Sequence, residues 1–221
     1  MIRIDFEEKH IELSPTKIIA VARNYRAHAQ ELGHSVPEEV KFFLKPPSAM
    51  IPHNGLVRLP RVSKHVDFEV ELAVIMKNQC SKVSPPEVAQ SILGYSIIVD
   101  ITARDIQQQA MKAGMPWTIA KGFDTFAPIG PRIVSADKIS PKNLEIWLKL
   151  NGEYKQRSNT QSMIFPVDEL ISYISQIMTL EPLDIIATGT PEGVGPMQHG
   201  DFVEAGIENI GVLEFQIQKE K

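Results

Sequence analysis

Apolar and acidic residues alternate along HVDFEVEL, positions 65–72, and an apolar run, AVIM, follows at 73–76. Successive side chains of a strand point to opposite faces. Val66, Phe68, Val70 and Leu72 therefore share one face, and Asp67, Glu69 and Glu71 share the other. EVELAVIM (69–76), KIIAVA (17–22), GYSIIVD (94–100) and DIIATG (184–189) are rich in branched residues and predict strands. EIWLKL (145–150) predicts another, ended by the turn pair Asn151-Gly152. DFVEAGI (201–207) and GVLEFQIQ (211–218) alternate and read as a closing hairpin.

Helical spacing occupies less of the chain. TARDIQQQAMKAG (102–114) and PVDELISYISQIM (166–178) place apolar residues at helical intervals. NYRAHAQELG (24–33) opens at a capping residue, Asn24, and stops at Gly33. SPPEVAQSIL (84–93) has proline just inside its start and Gly94 after its end, so it too predicts a helix. Helices and strands do not alternate regularly, which argues against a doubly wound sheet. The expectation is a β-rich α+β domain with a dominant, mostly antiparallel core.

Composition narrows the function. A chain of 221 residues suits one substantial domain. The net charge is −4 and there is no block of Lys and Arg, so neither nucleic acid nor an anionic membrane is an expected partner. The single cysteine, Cys80, excludes an intramolecular disulfide and fits a reducing compartment. No apolar run reaches membrane-span length, and the opening MIRIDFEEKH is too charged for a secretory signal. A soluble cytoplasmic protein is expected.

The acidic face at 67–71 is the first sign of chemistry. A solvated face would mix Lys, Thr and Gln among the acids, and this one does not. The strand at 94–100 ends abruptly in a further acid, Asp100. Like charges held together are costly unless a cation joins them. Carboxylates with no Cys or His cluster nearby suit a hard ion, Mg²⁺ foremost, with Mn²⁺ or Ca²⁺ as alternatives. A solvated sheet face is the competing explanation. Elsewhere, His28 and Glu31 share a helix face at a spacing of three, as do Arg104 and Gln107. Lys121 stands in an apolar setting, TIAKGF.

ARNYRAHAQE, FFLKP, VDFEVELAVI, GYSIIVDITARDIQ, PWTIAKGFDTFAPIGP, SMIF and GTPEGVGP occur in that order. In this ordered set the chain resembles the fumarylacetoacetate hydrolase family, and within it the acylpyruvate hydrolase (oxaloacetate decarboxylase) branch. The resemblance covers roughly nine-tenths of the chain. It implies a mixed β-sandwich roll with a few peripheral helices, one catalytic domain over 17–221 behind a short N-terminal segment, 1–16, and a homodimer. It makes Glu69, Glu71 and Asp100 the metal ligands and gives Asp67 a supporting role. His28 and Glu31 become a catalytic dyad on a short lid, and Lys121 a catalytic cation in the substrate pocket. Arg104, Gln107 and Thr190 become substrate-binding residues. Leu183 departs from the pattern, because relatives commonly carry glycine there, and this leaves the local turn type open.

The activity implied is metal-dependent hydrolysis of the carbon–carbon bond of acylpyruvates, decarboxylation of oxaloacetate, or both. Each passes through an enolate of a small 2-oxo acid. Two alternatives accompany it. One is the isomerase or decarboxylase of aromatic-acid catabolism acting on an unsaturated oxo dicarboxylate. The other is a metal-dependent oxo-acid-binding protein without turnover.

Overall fold

Every residue of the strand Val70–Met76 is buried, because core lies on both of its faces. Leu72 and Val74 enter the larger apolar cluster, and Ala73 and Ile75 enter a smaller one on the opposite side. Burial on two sides is what an unbroken apolar run such as LAVIM requires. The computed structural model describes residues 1–31, 33 and 35–220.

Val70–Met76 sits inside a nine-stranded sheet. Across the sheet the order is Lys9–Leu13, Ile2–Phe6, Ala127–Ser135, Ile92–Val99, Val70–Met76, Ile185–Ala187, Ile18–Ala22 and Lys41–Lys45, with Met50–Ile51 pairing off this path. A five-stranded sheet runs Glu153–Asn159, Glu145–Leu150, Phe202–Ile207, Gly211–Lys219 and Gly55–Leu59. Ile146, Leu148, Val203 and Phe215 of this second sheet meet Leu72, Ile97 and Val99 of the first in the larger cluster. Val66–Phe68 forms a small third sheet with Thr102–Ala103 and Gly195–Pro196. Parallel pairing occurs at Ile18–Ala22 with Ile185–Ala187, at Gly55–Leu59 with Gly211–Lys219, and where Ile2–Phe6 and Met50–Ile51 meet Ala127–Ser135. The other pairings are antiparallel. This is the β-rich α+β roll with peripheral helices that the resemblance implies.

The predicted hairpins are present. Asn151 and Gly152 both have positive φ, 53° and 82°, as the tight turn between Glu145–Leu150 and Glu153–Asn159 demands. Phe202–Ile207 and Gly211–Lys219 pair antiparallel as the closing hairpin. Within 1–16, the short N-terminal segment of the sequence reading, Ile2–Phe6 and Lys9–Leu13 form a hairpin, and Leu13 is fully buried.

Four elements differ from expectation. The segment 84–93 is a 3-10 helix over Pro85–Ser91, opened by a box in which the Glu87 carboxylate accepts from the Ser84 amide (2.8 Å) and hydroxyl (2.6 Å). It stops because Ile92 already pairs with Met76 in the main sheet. The helix expected from 102 begins at Arg104, since Thr102 and Ala103 are taken up by pairing with Asp67 and Val66. The helix expected at 24–33 covers Arg26–Glu31, and its Leu32 lies outside the described residues. Finally, the alternating strand at 65–75 breaks at Glu69. Val70 donates its amide to the side chain of Gln156 (3.0 Å) instead of to a neighbouring strand. The helix at 166–178 is confirmed as Val167–Ile177, burying Val167, Leu170, Ile171 and Ile174. No described helix is long and apolar enough to cross a membrane.

Candidate active site

Antiparallel register brings the acids together. Val70 faces Val99 in the main sheet, and the Asp100 amide donates to the Glu69 carbonyl (2.8 Å). Asp100, one residue past its strand, therefore lies beside Glu69, and Glu71 follows on the same face. One carboxylate oxygen from each of Glu69, Glu71 and Asp100 lies within 4.8 Å of the others, and all three residues are buried.

Cations surround this triad unequally. The Lys121 ammonium sits 2.9 Å from Glu69, 2.5 Å from Asp100 and 2.6 Å from the Thr102 hydroxyl, which uses all three of its protons. Lys45 lies 2.7 Å from the other Asp100 oxygen and donates to the carbonyls of Ile101 (3.1 Å) and Lys121 (2.5 Å). Arg104 donates from Nε to Asp67 (2.7 Å), from Nη1 to Gln107 (2.6 Å) and from Nη2 to Glu69. Asp67 also meets His65 Nε2 at 2.7 Å, so its role in this structure is to anchor Arg104.

The acids respond differently. Burial pushes the Glu69 carboxyl up, but Lys121, Arg104 and His28 outweigh it and hold the group well below the usual carboxylate range. Glu71 is pushed well above that range by burial first and then by Asp100 and Glu69. Its short hydrogen bond comes from the Gly189 amide (2.7 Å), and no ion pair reaches it among the described residues. Burial lowers Lys45 despite Asp100, whereas Asp100 and Glu69 hold Lys121 up against its burial.

Four buried acids, Asp67, Glu69, Glu71 and Asp100, face three buried cations, Lys45, Arg104 and Lys121. With all of these groups ionised, one negative charge is left over, and it falls on Glu71. Three converging carboxylate oxygens with an uncompensated charge are the donor set of a hard divalent cation. The residues present fit such an ion.

A narrow cleft opens over the triad. Its wall contains every residue nominated from sequence except Glu31: His28, Glu69, Glu71, Asp100, Arg104, Gln107, Lys121 and Thr190. Glu31 stands behind His28, with its carboxylate 3.4 Å from His28 Nδ1, longer than a strong hydrogen bond. Both Glu31 oxygens accept from the Gly193 amide, at 3.0 and 3.2 Å. The segment from Gly189 to Gly193 thus bonds both Glu71 of the triad and Glu31. It packs so closely that a Cβ at Gly193 (φ +91°) would lie 2.0 Å from the Lys155 carbonyl oxygen.

Sequence reasoning missed three supporting residues. Gln156 is fully buried and donates to Thr190 Oγ1 (2.8 Å) and the Pro191 carbonyl (2.9 Å). It lies in the polar strand EYKQRSN, and nothing there marks it. Asn24, read as a helix cap, instead ties the chain just before the helix Arg26–Glu31 to Phe165 and Thr188. Lys45, in FFLKP, shared with Lys121 the signal of a lysine among apolar residues.

Fold and cleft define a β-rich domain with a carboxylate centre suited to a divalent ion. The sequence profile described as "Fumarylacetoacetate (FAA) hydrolase C-terminal" matches residues 17–218, and the chain belongs to the fumarylacetoacetate hydrolase family. It is 45% identical over 204 residues to a mitochondrial oxaloacetate tautomerase of Arabidopsis thaliana, covering 92% of each chain. Among solved structures it resembles fumarylpyruvate hydrolase of Pseudomonas aeruginosa in complex with Mn²⁺ and pyruvate. That match has a TM-score of 0.94 and 31% identity, and covers 99% of this chain and 96% of the other. A 2-hydroxyhepta-2,4-diene-1,7-dioate isomerase of Mycobacterium marinum matches with TM-score 0.85 and 37% identity, over 98% of this chain and 83% of that one. The relatives so named are enzymes.

Proposed function

We propose that this chain is a divalent-metal-dependent enzyme of 2-oxo acids that works through an enolate. Its reactions are hydrolysis of the carbon–carbon bond of acylpyruvates and, through the same kind of intermediate, decarboxylation of oxaloacetate. The similarity to an oxaloacetate tautomerase adds keto–enol exchange of oxaloacetate, which needs that enolate and nothing further. The observation that carries this reading is the buried triad with its one unbalanced charge, set in a cleft whose wall also holds His28.

An ion such as Mg²⁺ or Mn²⁺ held by Glu69, Glu71 and Asp100 would supply Lewis acidity toward the carboxylate and keto oxygen of a 2-oxo acid. The protein groups do the rest. Lys121 and Arg104 keep Glu69 ionised, and Lys45 with Lys121 brackets Asp100, so both acids are ready as ligands. Thr190 accepts from Gln156, which leaves its own hydroxyl proton to donate to a substrate oxygen. His28 accepts a proton from water in hydrolysis, and Glu31 restrains its ring and balances the resulting charge. In decarboxylation no water attacks, and His28 serves only to move a proton to or from carbon. Phe43, Met111 and Trp117 add apolar surface to the cleft wall and limit water.

The isomerase reading keeps the same site and shifts a proton along an unsaturated chain, and the Mycobacterium marinum similarity favours it. One panel separates the readings. Chelator-stripped protein is resupplied with Mg²⁺ or Mn²⁺ and given acetylpyruvate, oxaloacetate and an unsaturated oxo dicarboxylate. Pyruvate release, carbon dioxide release and loss of the enol absorbance are then followed. Release of pyruvate only with metal is the expected result. Full activity in the stripped protein overturns the metal role, and binding without any turnover leaves an oxo-acid-binding protein.

A further inference from the structure

Arg23 directly follows the strand Ile18–Ala22 and carries a left-handed backbone, φ 60°, which a long side chain adopts at a cost of about 1 kcal/mol or more. The neighbouring residue enforces it. Asn24 is fully buried, and its side chain donates to the carbonyls of Thr188 (2.8 Å) and Phe165 (3.0 Å) and accepts from the Phe165 amide (2.8 Å). Its carbonyl accepts from the Ile164 amide (2.7 Å). The chain is therefore pinned immediately beyond Arg23, at the base of the lid helix Arg26–Glu31.

Arg23 lines the same cleft as His28 and the triad. There Arg23 differs from every other cation of the site. Arg104 is engaged at all three nitrogens, Lys121 at all three protons, and Lys45 by an acid and two carbonyls. Arg23 has no hydrogen bond or ion pair from its side chain among the described residues, and it is half-buried. Burial pushes its guanidinium down from the ordinary value.

Charge counting gives the ligand. The buried groups leave one negative charge, a divalent ion converts that to one positive, and the carboxylate of a 2-oxo acid cancels it. Arg23 then remains as the unmatched cation of the cleft. We propose that Arg23 is a specificity-determining residue whose guanidinium binds a second, distal carboxylate, so that dicarboxylic 2-oxo acids are the preferred ligands over monocarboxylic ones. This rests on the 2-oxo acid reading above and names the substrate class within it. Arginine suits the task because its planar fork meets a carboxylate through two parallel bonds.

The test uses two acylpyruvates of equal chain length, succinylpyruvate and butanoylpyruvate, in which a carboxylate replaces a methyl group. Steady-state kcat/KM with saturating Mn²⁺, and calorimetric binding of each to the Mn²⁺-loaded protein, are measured for wild type, Arg23→Gln, Arg23→Lys and Arg23→Gly. Wild type should prefer succinylpyruvate. Arg23→Gln should shrink that preference by about 10- to 100-fold, chiefly through KM, the size of one charge-assisted pair. Arg23→Lys should keep part of it. Glycine accepts φ 60° without strain, so Arg23→Gly should fold at least as well as wild type and still lose the preference. If Arg23→Gln and Arg23→Gly weaken both ligands equally, or leave the preference intact, the assignment is overturned. If wild type turns over neither compound, the proposed reaction fails, and the calorimetric preference alone decides Arg23.

Discussion

Glu71 is the acid that this fold leaves without a cation, and its behaviour is measurable. Its raised pKa means that the folded, metal-free protein holds a proton there above the ordinary carboxylate range. Seating an ion must expel that proton. Metal affinity should therefore rise as pH rises toward the raised value, with about one proton released per ion. Calorimetry in buffers of different ionisation enthalpy reads the release directly, and Glu71→Gln should abolish it along with tight binding. The stability sign follows from the same group. A carboxyl raised on folding stabilises below its unfolded value, about 4.3, and loses that contribution as pH climbs through the folded one. His28 makes a second residue-scale prediction. Loss of a general base costs on the order of 10² to 10⁴ in rate, so His28→Ala should lower acylpyruvate hydrolysis by that order. Oxaloacetate decarboxylation should fall less, and a wild-type hydrolysis rate would remove His28 from the mechanism. At this scale the sequence was informative where period and chemistry coincide. Glu69 and Glu71 were visible as acids on an alternating strand, yet nothing local separates the acid with two cations from the acid with none. Gln156 was invisible, because its partners lie at Val70, Thr190 and Pro191, far away in the chain.

Elements were legible in proportion to how far their own residues determine them. The strand expected at 145–150 ends in its own turn pair, those expected at 201–207 and 211–218 alternate, and all three formed. Pro85–Ser91 misled because a proline start and a following glycine fit a helix, while the decision lay with Met76, the pairing partner of Ile92. The turn before Ile185–Ala187 shows the same division. Leu183 takes φ 68°, the conformation for which glycine is favoured, and its side chain packs against the smaller core cluster. Beside it, fully buried Asp184 ties the start of Ile185–Ala187 to the start of Ile18–Ala22. It accepts from Thr16 N (2.9 Å), Thr16 Oγ1 (2.7 Å), Lys17 N (3.0 Å), Lys17 Nζ (2.5 Å) and Glu181 N (2.9 Å). Burial opposes its charge, but the bonds from Lys17, Glu181 and Thr16 prevail and hold its pKa below the usual range. A carboxyl lowered on folding stabilises above its unfolded value, about 3.9, and that stability is lost as pH falls through the folded one. Asp184→Asn should destabilise by about 1–3 kcal/mol at neutral pH and flatten the acid limb of a pH–stability curve. An unchanged acid limb in urea titrations would contradict this.

On the scale of the whole molecule, one of the two edges of the main sheet carries exposed apolar side chains. Lys41–Lys45 ends the nine-stranded sheet, and Leu44 (46%), Met115 (61%) and Ile119 (67%) are exposed around it. An unpaired edge beside apolar side chains is a place for another chain to bind. The expected assembly is a homodimer, with twice the chain mass by light scattering at micromolar concentration. Leu44→Glu with Ile119→Glu should shift that mass toward the monomer if this edge is the contact, and a monomeric wild type would refute the dimer. The site itself belongs to no single layer. Within five residues, Gly189 reaches Glu71 of the main sheet, Thr190 reaches Gln156 of the second sheet, and Gly193 reaches Glu31 of the helix Arg26–Glu31. That spacing makes this stretch intolerant of changes in length. One residue added between 189 and 193 shifts two attachment points relative to the third, whereas the exposed Asn151-Gly152 turn bonds Asp201 and Phe202, neither of which lines the cleft, so lengthening there leaves the cleft's attachment points in place. In a library of single-residue insertions, folded but inactive variants should concentrate at 189–193, and active ones at 151–152. Diversity in this protein is therefore expected to arise by substitution around the cleft, with the loop's length held fixed.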